Sequence, residues 1–142
     1  MPSGAVLVLL AVIAQGALTL VLLLWLSYIR VRLLRQGRVH PPDVRLSREP
    51  WPDIAKQASN AFDNQFQLPI LMYAAAAIAF HLGPTVLEIT SIWVFAVSRW
   101  LHAAAYVSTN HVPTRATFFS VGFAALIVLW IELGVRVAQL SH

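Results

Sequence analysis

Long apolar runs organise this chain. Four can be counted, about Gly4 to Ile29, Phe66 to Leu82, Val86 to Val107 and Thr117 to Leu140. Each is near the roughly 20 residues that a helix needs to cross a hydrocarbon core. The first is longer, which predicts tilt or protrusion. No Lys or Arg precedes Arg30, so this run lacks the basic leader of a signal peptide and is too long for its apolar stretch; it reads as a retained span. Between the first two runs, the proline-rich and charged stretch VHPPDVRLSREPWPD at 39–53 reads as an irregular loop. Pro52 suits the first turn of a helix, which is predicted to run through IAKQASNAFDNQ into the second apolar run. Pro69 lies inside it, at a position where a membrane helix tolerates a kink. The pattern predicts an all-α, integral membrane four-helix bundle of up-down-up-down order. Its helices cover about 4–35, 52–82, 86–110 and 115–140 of a single domain, 1–142.

Composition supports the membrane reading. The chain is 58% hydrophobic and 11% charged, too apolar for an ordinary soluble domain. It has no cysteine, which excludes disulfides, a thiolate metal site and a cysteine nucleophile. The net charge of +4 is mostly a topology signal. Of ten basic residues, Arg30, Arg32, Arg35, Arg38, Arg45, Arg48 and Lys56 lie between the first two runs, and Arg115 lies between the last two. The positive-inside rule then places these two loops in the cytoplasm and both termini on the other side. The basic cluster adjoins a span and carries no nucleic-acid-binding module, so no nucleic-acid partner is expected. Trp25, Trp51 and Trp100 are predicted near the cytoplasmic boundary, with Trp93 and Trp130 deeper or opposite. YAAAAIAF at 73–80 offers small residues for close helix packing.

The remaining polar residues converge. With alternating helix direction, Arg30 and Arg32 end the first helix on the side where Asn60, Asp63, Asn64 and Gln67 begin the second. Arg99, His102 and Tyr106 end the third helix there, and Arg115 stands near the start of the fourth. Arg99, His102 and Tyr106 share a helix face by their spacing of three and four, and Asn60, Asn64 and Gln67 repeat that pattern. Ionisable groups inside a membrane normally face the bundle interior or a wet cavity. An arginine-rich cavity suits a small anion, because the guanidinium offers a fork of donors to a carboxylate.

Each residue also has a simpler reading. The first-loop arginines serve as topology determinants and contacts to membrane lipids. Arg99 could snorkel or pair with Asp63. His102 could be a satisfied interior histidine, Tyr106 a belt residue, and Asn64 and Gln67 interhelical hydrogen-bond partners. Glu132 and Arg136, four apart, look like a local pair near the opposite side. The joint placement of the first group in one leaflet favours a ligand pocket.

Two stretches, ASNAFDNQFQLPILMY at 58–73 and RWLHAAAYVSTNHVPTR at 99–115, resemble the membrane-associated proteins in eicosanoid and glutathione metabolism, the MAPEG family, in its bacterial type. The stretch at 58–73 is similar to the family's Asn-x-x-Glu stretch followed by proline. The stretch at 99–115 is similar to its Arg-x-x-His-x-x-x-Tyr pattern with a further arginine beyond. The resemblance implies a homotrimer in a bacterial inner membrane, with glutathione bound at subunit interfaces and a lipophilic substrate arriving through the bilayer. By position, Arg30 or Arg32 resembles the family's first-helix arginine. Asn64, Gln67, Arg99, His102 and Tyr106 match residues around the glutathione site, and Arg115 matches the catalytic, thiolate-stabilising arginine. No metal is implied.

Three positions depart from the pattern. Gln67 stands where glutamate usually helps hold glutathione's amine, and Ala116 and Phe119 stand where some members have serine and tyrosine. Two readings therefore stay open. One is a glutathione-dependent transferase or peroxidase, with Arg115 lowering the thiol's pKa. The other is a non-catalytic relative that binds an anionic ligand, a lipid or a protein. A small proton-coupled exporter would need an acidic residue deep in the first helix, where only Gln15 and small hydroxyls occur.

Overall fold

The computed structural model describes residues 3–140, so the extreme ends of the expected 1–142 domain lie outside the described residues. The chain is all-helical there: α1 is Ser3–Arg35, α2 is Asp53–Asp63, α3 is Leu68–Leu82, α4 is Val86–Val107 and α5 is Val112–Leu140. A 3-10 turn, Asn64–Phe66, joins α2 to α3, so these form one rod and the fold is a four-rod bundle. α1, the α2–α3 rod and α5 are long and apolar enough to cross a membrane. α4 is less apolar because it carries Glu88, Arg99 and His102, and all three side chains turn inward.

Local chemistry sets the turns. Gly83 takes φ 80°, a backbone state that glycine enters at no steric cost, and closes α3. Thr85 and Glu88 then form a reciprocal capping box at the start of α4. At the other end of α4, Asn110 sits at φ 51°, a left-handed state that Asn tolerates better than most residues. The chain therefore leaves α4 at Val107, before the expected 110, and re-enters helix at Val112, before the expected 115. Pro113 fits the first turn of α5, where its missing N–H costs nothing.

The second rod is broken where the sequence predicted a kink. Proline cannot donate to the carbonyl of the residue four before it and crowds that turn. The rod yields at Gln67, with φ −105° and ψ −110°, and α3 restarts with Pro69 in its first turn.

The rods alternate in direction as predicted. Trp93 Nε1 donates to the Leu7 carbonyl at 3.2 Å and Trp100 Nε1 to the Ala14 carbonyl at 3.1 Å, so α1 and α4 run parallel. Trp100 stands seven residues, about 10 Å, before the end of α4. Its indole fastens α4 to α1. Met72, Ala75, Ala76 and Ala79 of α3 pack with Val8, Ile92, Phe95 and Leu129 in the main core. The alanine run lets the rods approach closely. α5 comes close to α4 at Gly122, where an added Cβ would lie 2.3 Å from Ser98 Oγ.

Arg136 does not pair with Glu132. Its Nη1 donates to both carboxylate oxygens of Glu88 at 2.7 Å, and Nη2 donates to the carbonyls of Leu82 and Gly83 at 3.2 and 3.1 Å. Glu88 is 0% exposed, so the desolvated carboxylate outcompetes a closer neighbour in sequence. This cluster ties α5 to the α3–α4 turn at the end of the bundle remote from the basic loop.

Candidate functional site

α4 positions the central residues. Arg99 is 1% exposed, so it neither snorkels nor reaches a surface partner. Its Nη2 donates to the Asn64 carbonyl at 3.2 Å. That carbonyl opens the 3-10 turn, where the normal helical ladder is interrupted. Asp63, the alternative partner, pairs with Arg48 instead. Arg99 Nε and Nη1 are buried without a hydrogen-bond partner. Among the described residues the ion pairs are Arg48–Asp63, Lys56–Glu49 and Arg136–Glu88, and none involves Arg99. Its guanidinium carbon stands 5.8 Å from the centre of the Phe119 ring, a cation–π contact that offsets only part of the burial cost.

His102 and Arg115 complete the constellation. His102 Nδ1 lies 2.9 Å from the Arg115 carbonyl oxygen. A carbonyl only accepts, so Nδ1 carries the proton and a neutral ring leaves Nε2 as an acceptor. That Nε2 is buried without a partner. Arg115 sits over the Tyr106 ring, with its guanidinium carbon 3.9 Å from the ring centre. Arg115 Nη1 donates to the Asn110 side-chain oxygen, while its Nε is buried and unpartnered. His102 packs edge-on to Tyr106 at 5.9 Å and beside Phe119 at 6.0 Å. The expected convergence of Arg99, His102, Tyr106 and Arg115 is therefore present within one protomer.

The second rod contributes differently from the expectation. Asn60, Asn64 and Gln67 do share a side, but Asn60 and Gln67 are exposed and Asn64 is half-buried. The inward side is Ala58, Ala61 and Gln65. Asn64 meets Arg99 through its backbone, and Gln67, at the break between α2 and α3, faces away from the protomer interior. Arg30 forms a separate group. Its Nη2 is 3.4 Å from Ser59 Oγ, and its guanidinium lies 5.2 Å from the Trp51 ring centre. These residues, with Arg48, Lys56 and Asn60, line a pocket of about 160 Å³ beside α2. Arg32 is exposed on the other face of α1.

The buried Gln15–Gln65 pair was not anticipated. Gln15 Nε2 donates to Gln65 Oε1 at 2.8 Å, and Gln65 Nε2 donates to the Ala61 carbonyl at 3.1 Å. Gln15 was legible as the polar interruption of an apolar span. Nothing in the spacing distinguished Gln65 from Asn64 or Gln67.

Chemically, three buried nitrogen donors and one imidazole acceptor lie without partners around Arg99, His102 and Arg115. Unmade hydrogen bonds of buried polar groups cost about 1–3 kcal/mol each, more when charged. Such a set of groups has the chemistry to accept an anion that also carries a donor. A sequence model described as the MAPEG family matches residues 5–135, nearly the whole chain. No curated protein and no solved structure matches.

Proposed function

The chain belongs to the MAPEG family of membrane proteins, and from that premise we propose that it binds glutathione and joins the glutathione sulfur to lipophilic electrophiles. The observation that carries this reading is the buried, acid-free Arg99 guanidinium, whose Nε and Nη1 lack partners. These donors fit a carboxylate of the tripeptide. Arg115, freed from its Asn110 contact, fits the thiolate. His102 Nε2 supplies an acceptor for an N–H of the ligand. Glutathione supplies the nucleophilic sulfur when bound. Arg115 would hold the thiol in its anionic form, the proton passing to solvent. The sulfur then forms a bond to the electrophilic carbon as the leaving group departs with its electron pair.

The outward placement of Asn64 and Gln67 supports a site completed in a homotrimer, where a neighbouring subunit meets that side. The arginine excess of the loop between α1 and α2 supports a cytoplasmic location for it, and the proposed site of the protein is a bacterial inner membrane. The lipophilic substrate enters laterally from the bilayer. One specific observation favours the alternative, a non-catalytic anion-binding relative. Phe119 touches both Arg99 and His102 without offering a hydroxyl, and Gln67 supplies no charge for the amine.

The test is glutathione-dependent conjugation of an electrophilic aryl halide by the purified protein, with Arg115→Ala beside it. The expected result is turnover in the wild type and a loss of on the order of 100-fold in the variant, the usual cost of deleting one transition-state charge partner. Glutathione binding without turnover would establish the non-catalytic reading, and absence of both would remove glutathione from the account.

A further inference from the structure

We propose that the emergent end of α1 is a binding site for the phosphate of an anionic phospholipid. α1 overruns the helix beside it. Leu22 packs level with Ala103, Tyr106 and Val107, at the last turns of α4. The helix then continues to Arg35, about 20 Å further along its axis. Trp25 and Tyr28 stack at 6.0 Å just past that level, both strongly exposed, as aromatic side chains do at the headgroup boundary.

Two grooves flank this segment. One, of about 550 Å³, is lined by Ser27, Tyr28, Val31, Arg32, Arg35 and Gln36. The other, of about 220 Å³, includes Trp25, Tyr28, Arg32, Gln36 and Arg38. Tyr28, Arg32 and Gln36 border both, and neither is lined by an acidic residue. Among the described residues, Arg32, Arg35, Arg38 and Arg45 make no side-chain hydrogen bond, ion pair or ring contact, and the first three border these grooves, whereas Arg30, Arg48, Arg99, Arg115 and Arg136 each have a partner.

Direction selects the occupant. α1 leaves the hydrocarbon with its N-terminal part inside the membrane. Helical side chains tilt toward the N-terminus, so Arg32 and Arg35 lean back toward the bilayer surface. Their forks then meet phosphate oxygens, the Tyr28 hydroxyl and Gln36 amide add neutral donors, and Trp25 lies against the upper acyl chain. A diffusing anion would gain nothing from this backward tilt or from the apolar base of the grooves. A lipid phosphate, fixed at that height, matches both.

Native mass spectrometry of the full-length protein, titrated in micelles with phosphatidylglycerol or phosphatidylcholine, tests the site. The wild type should bind phosphatidylglycerol in preference. Arg35→Gln with Arg38→Gln should weaken phosphatidylglycerol binding on the order of tenfold and leave phosphatidylcholine unchanged. Arg32 is kept, because it is a candidate glutathione contact, so glutathione binding by the double variant should not change. The site and the proposed function therefore fail separately. Equal binding of the two lipids, or a preference indifferent to the double change, would overturn the proposal. Displacement of phosphatidylglycerol by an equal concentration of inorganic phosphate would overturn it as well, by making the site one for a free anion.

Discussion

Replacing Arg99 with methionine should make the ligand-free protein more stable and weaken its response to glutathione. The magnitude follows from the contacts. Arg99 makes one hydrogen bond, to the Asn64 carbonyl, and one cation–π contact, to Phe119. A hydrogen bond involving a charged group contributes about 1.5–3 kcal/mol, and a desolvated cation–π contact about 2 kcal/mol. Against this stand the burial of an unpaired cation, several kcal/mol even after relaxation, and two unpartnered donors. Replacement of buried ionic groups by apolar residues of similar volume is commonly neutral or stabilising by about 1–4 kcal/mol. Methionine fills the shaft of the side chain and adapts to irregular gaps. The Asn64 carbonyl loses one partner, at a cost of about 1 kcal/mol. A net gain of about 1–3 kcal/mol is expected. Equilibrium unfolding in mixed micelles, followed by tryptophan fluorescence, reads it directly. With glutathione at about 100 times the wild-type dissociation constant the wild type should gain about 2.7 kcal/mol and the variant, binding at least about tenfold more weakly, about 1.4 kcal/mol or less. Ligand-free Arg99→Met that is destabilised by more than about 1 kcal/mol would refute the reasoning, because Arg99 would then be a satisfied structural residue.

Other consequences concern the frame around the site. Glu88→Gln strands Arg136 and should destabilise by about 3–5 kcal/mol, while Glu88→Gln with Arg136→Met should recover much of that; a double variant no better than the single in a thermal melt would contradict the pairing. Gly122→Ala should cost about 1–3 kcal/mol by overpacking α4 against α5. The cost should shrink in a Ser98→Ala background, and a double-mutant cycle showing no coupling would place the close approach elsewhere. Gln15→Leu leaves Gln65 Oε1 buried and unpaired and should cost about 1–3 kcal/mol, whereas joint replacement of Gln15 and Gln65 by leucine should be near neutral; resistance of the single variant to proteolysis equal to wild type would contradict it.

Much of the fold was legible because hydrocarbon imposes a coarse rule. A run near twenty apolar residues must be a helix, and alternating direction follows once short turns join such runs. The Gly83–Pro84 turn and the inward-facing series Arg99, His102 and Tyr106 came from that rule plus helical spacing. The facing of the second rod did not. Asn60, Asn64 and Gln67, like Ala58, Ala61 and Gln65, follow steps of three and four, and only packing decides which stripe turns inward. Small residues at Ala58 and Ala61 let α2 approach its neighbours, which sends the larger polar stripe outward. Glu88–Arg136 was hidden for a related reason. The sequence showed Glu132 four residues from Arg136, but not the carboxylate that antiparallel packing of α4 and α5 brings beside it. The partner of the Trp100 indole N–H was hidden too, because spacing within one helix does not say which carbonyl a neighbouring helix presents, here that of Ala14.

The proposed function rests on Arg99, His102 and Arg115 binding an anionic thiol together. Equilibrium dialysis of radiolabelled glutathione against the detergent-purified wild type and Arg99→Met tests it most directly. Saturable binding by the wild type, weakened at least tenfold in Arg99→Met, is the predicted result, since a buried charged hydrogen-bonding partner contributes about 1.5–3 kcal/mol. Equal retention by the two proteins, or none by either, would contradict it.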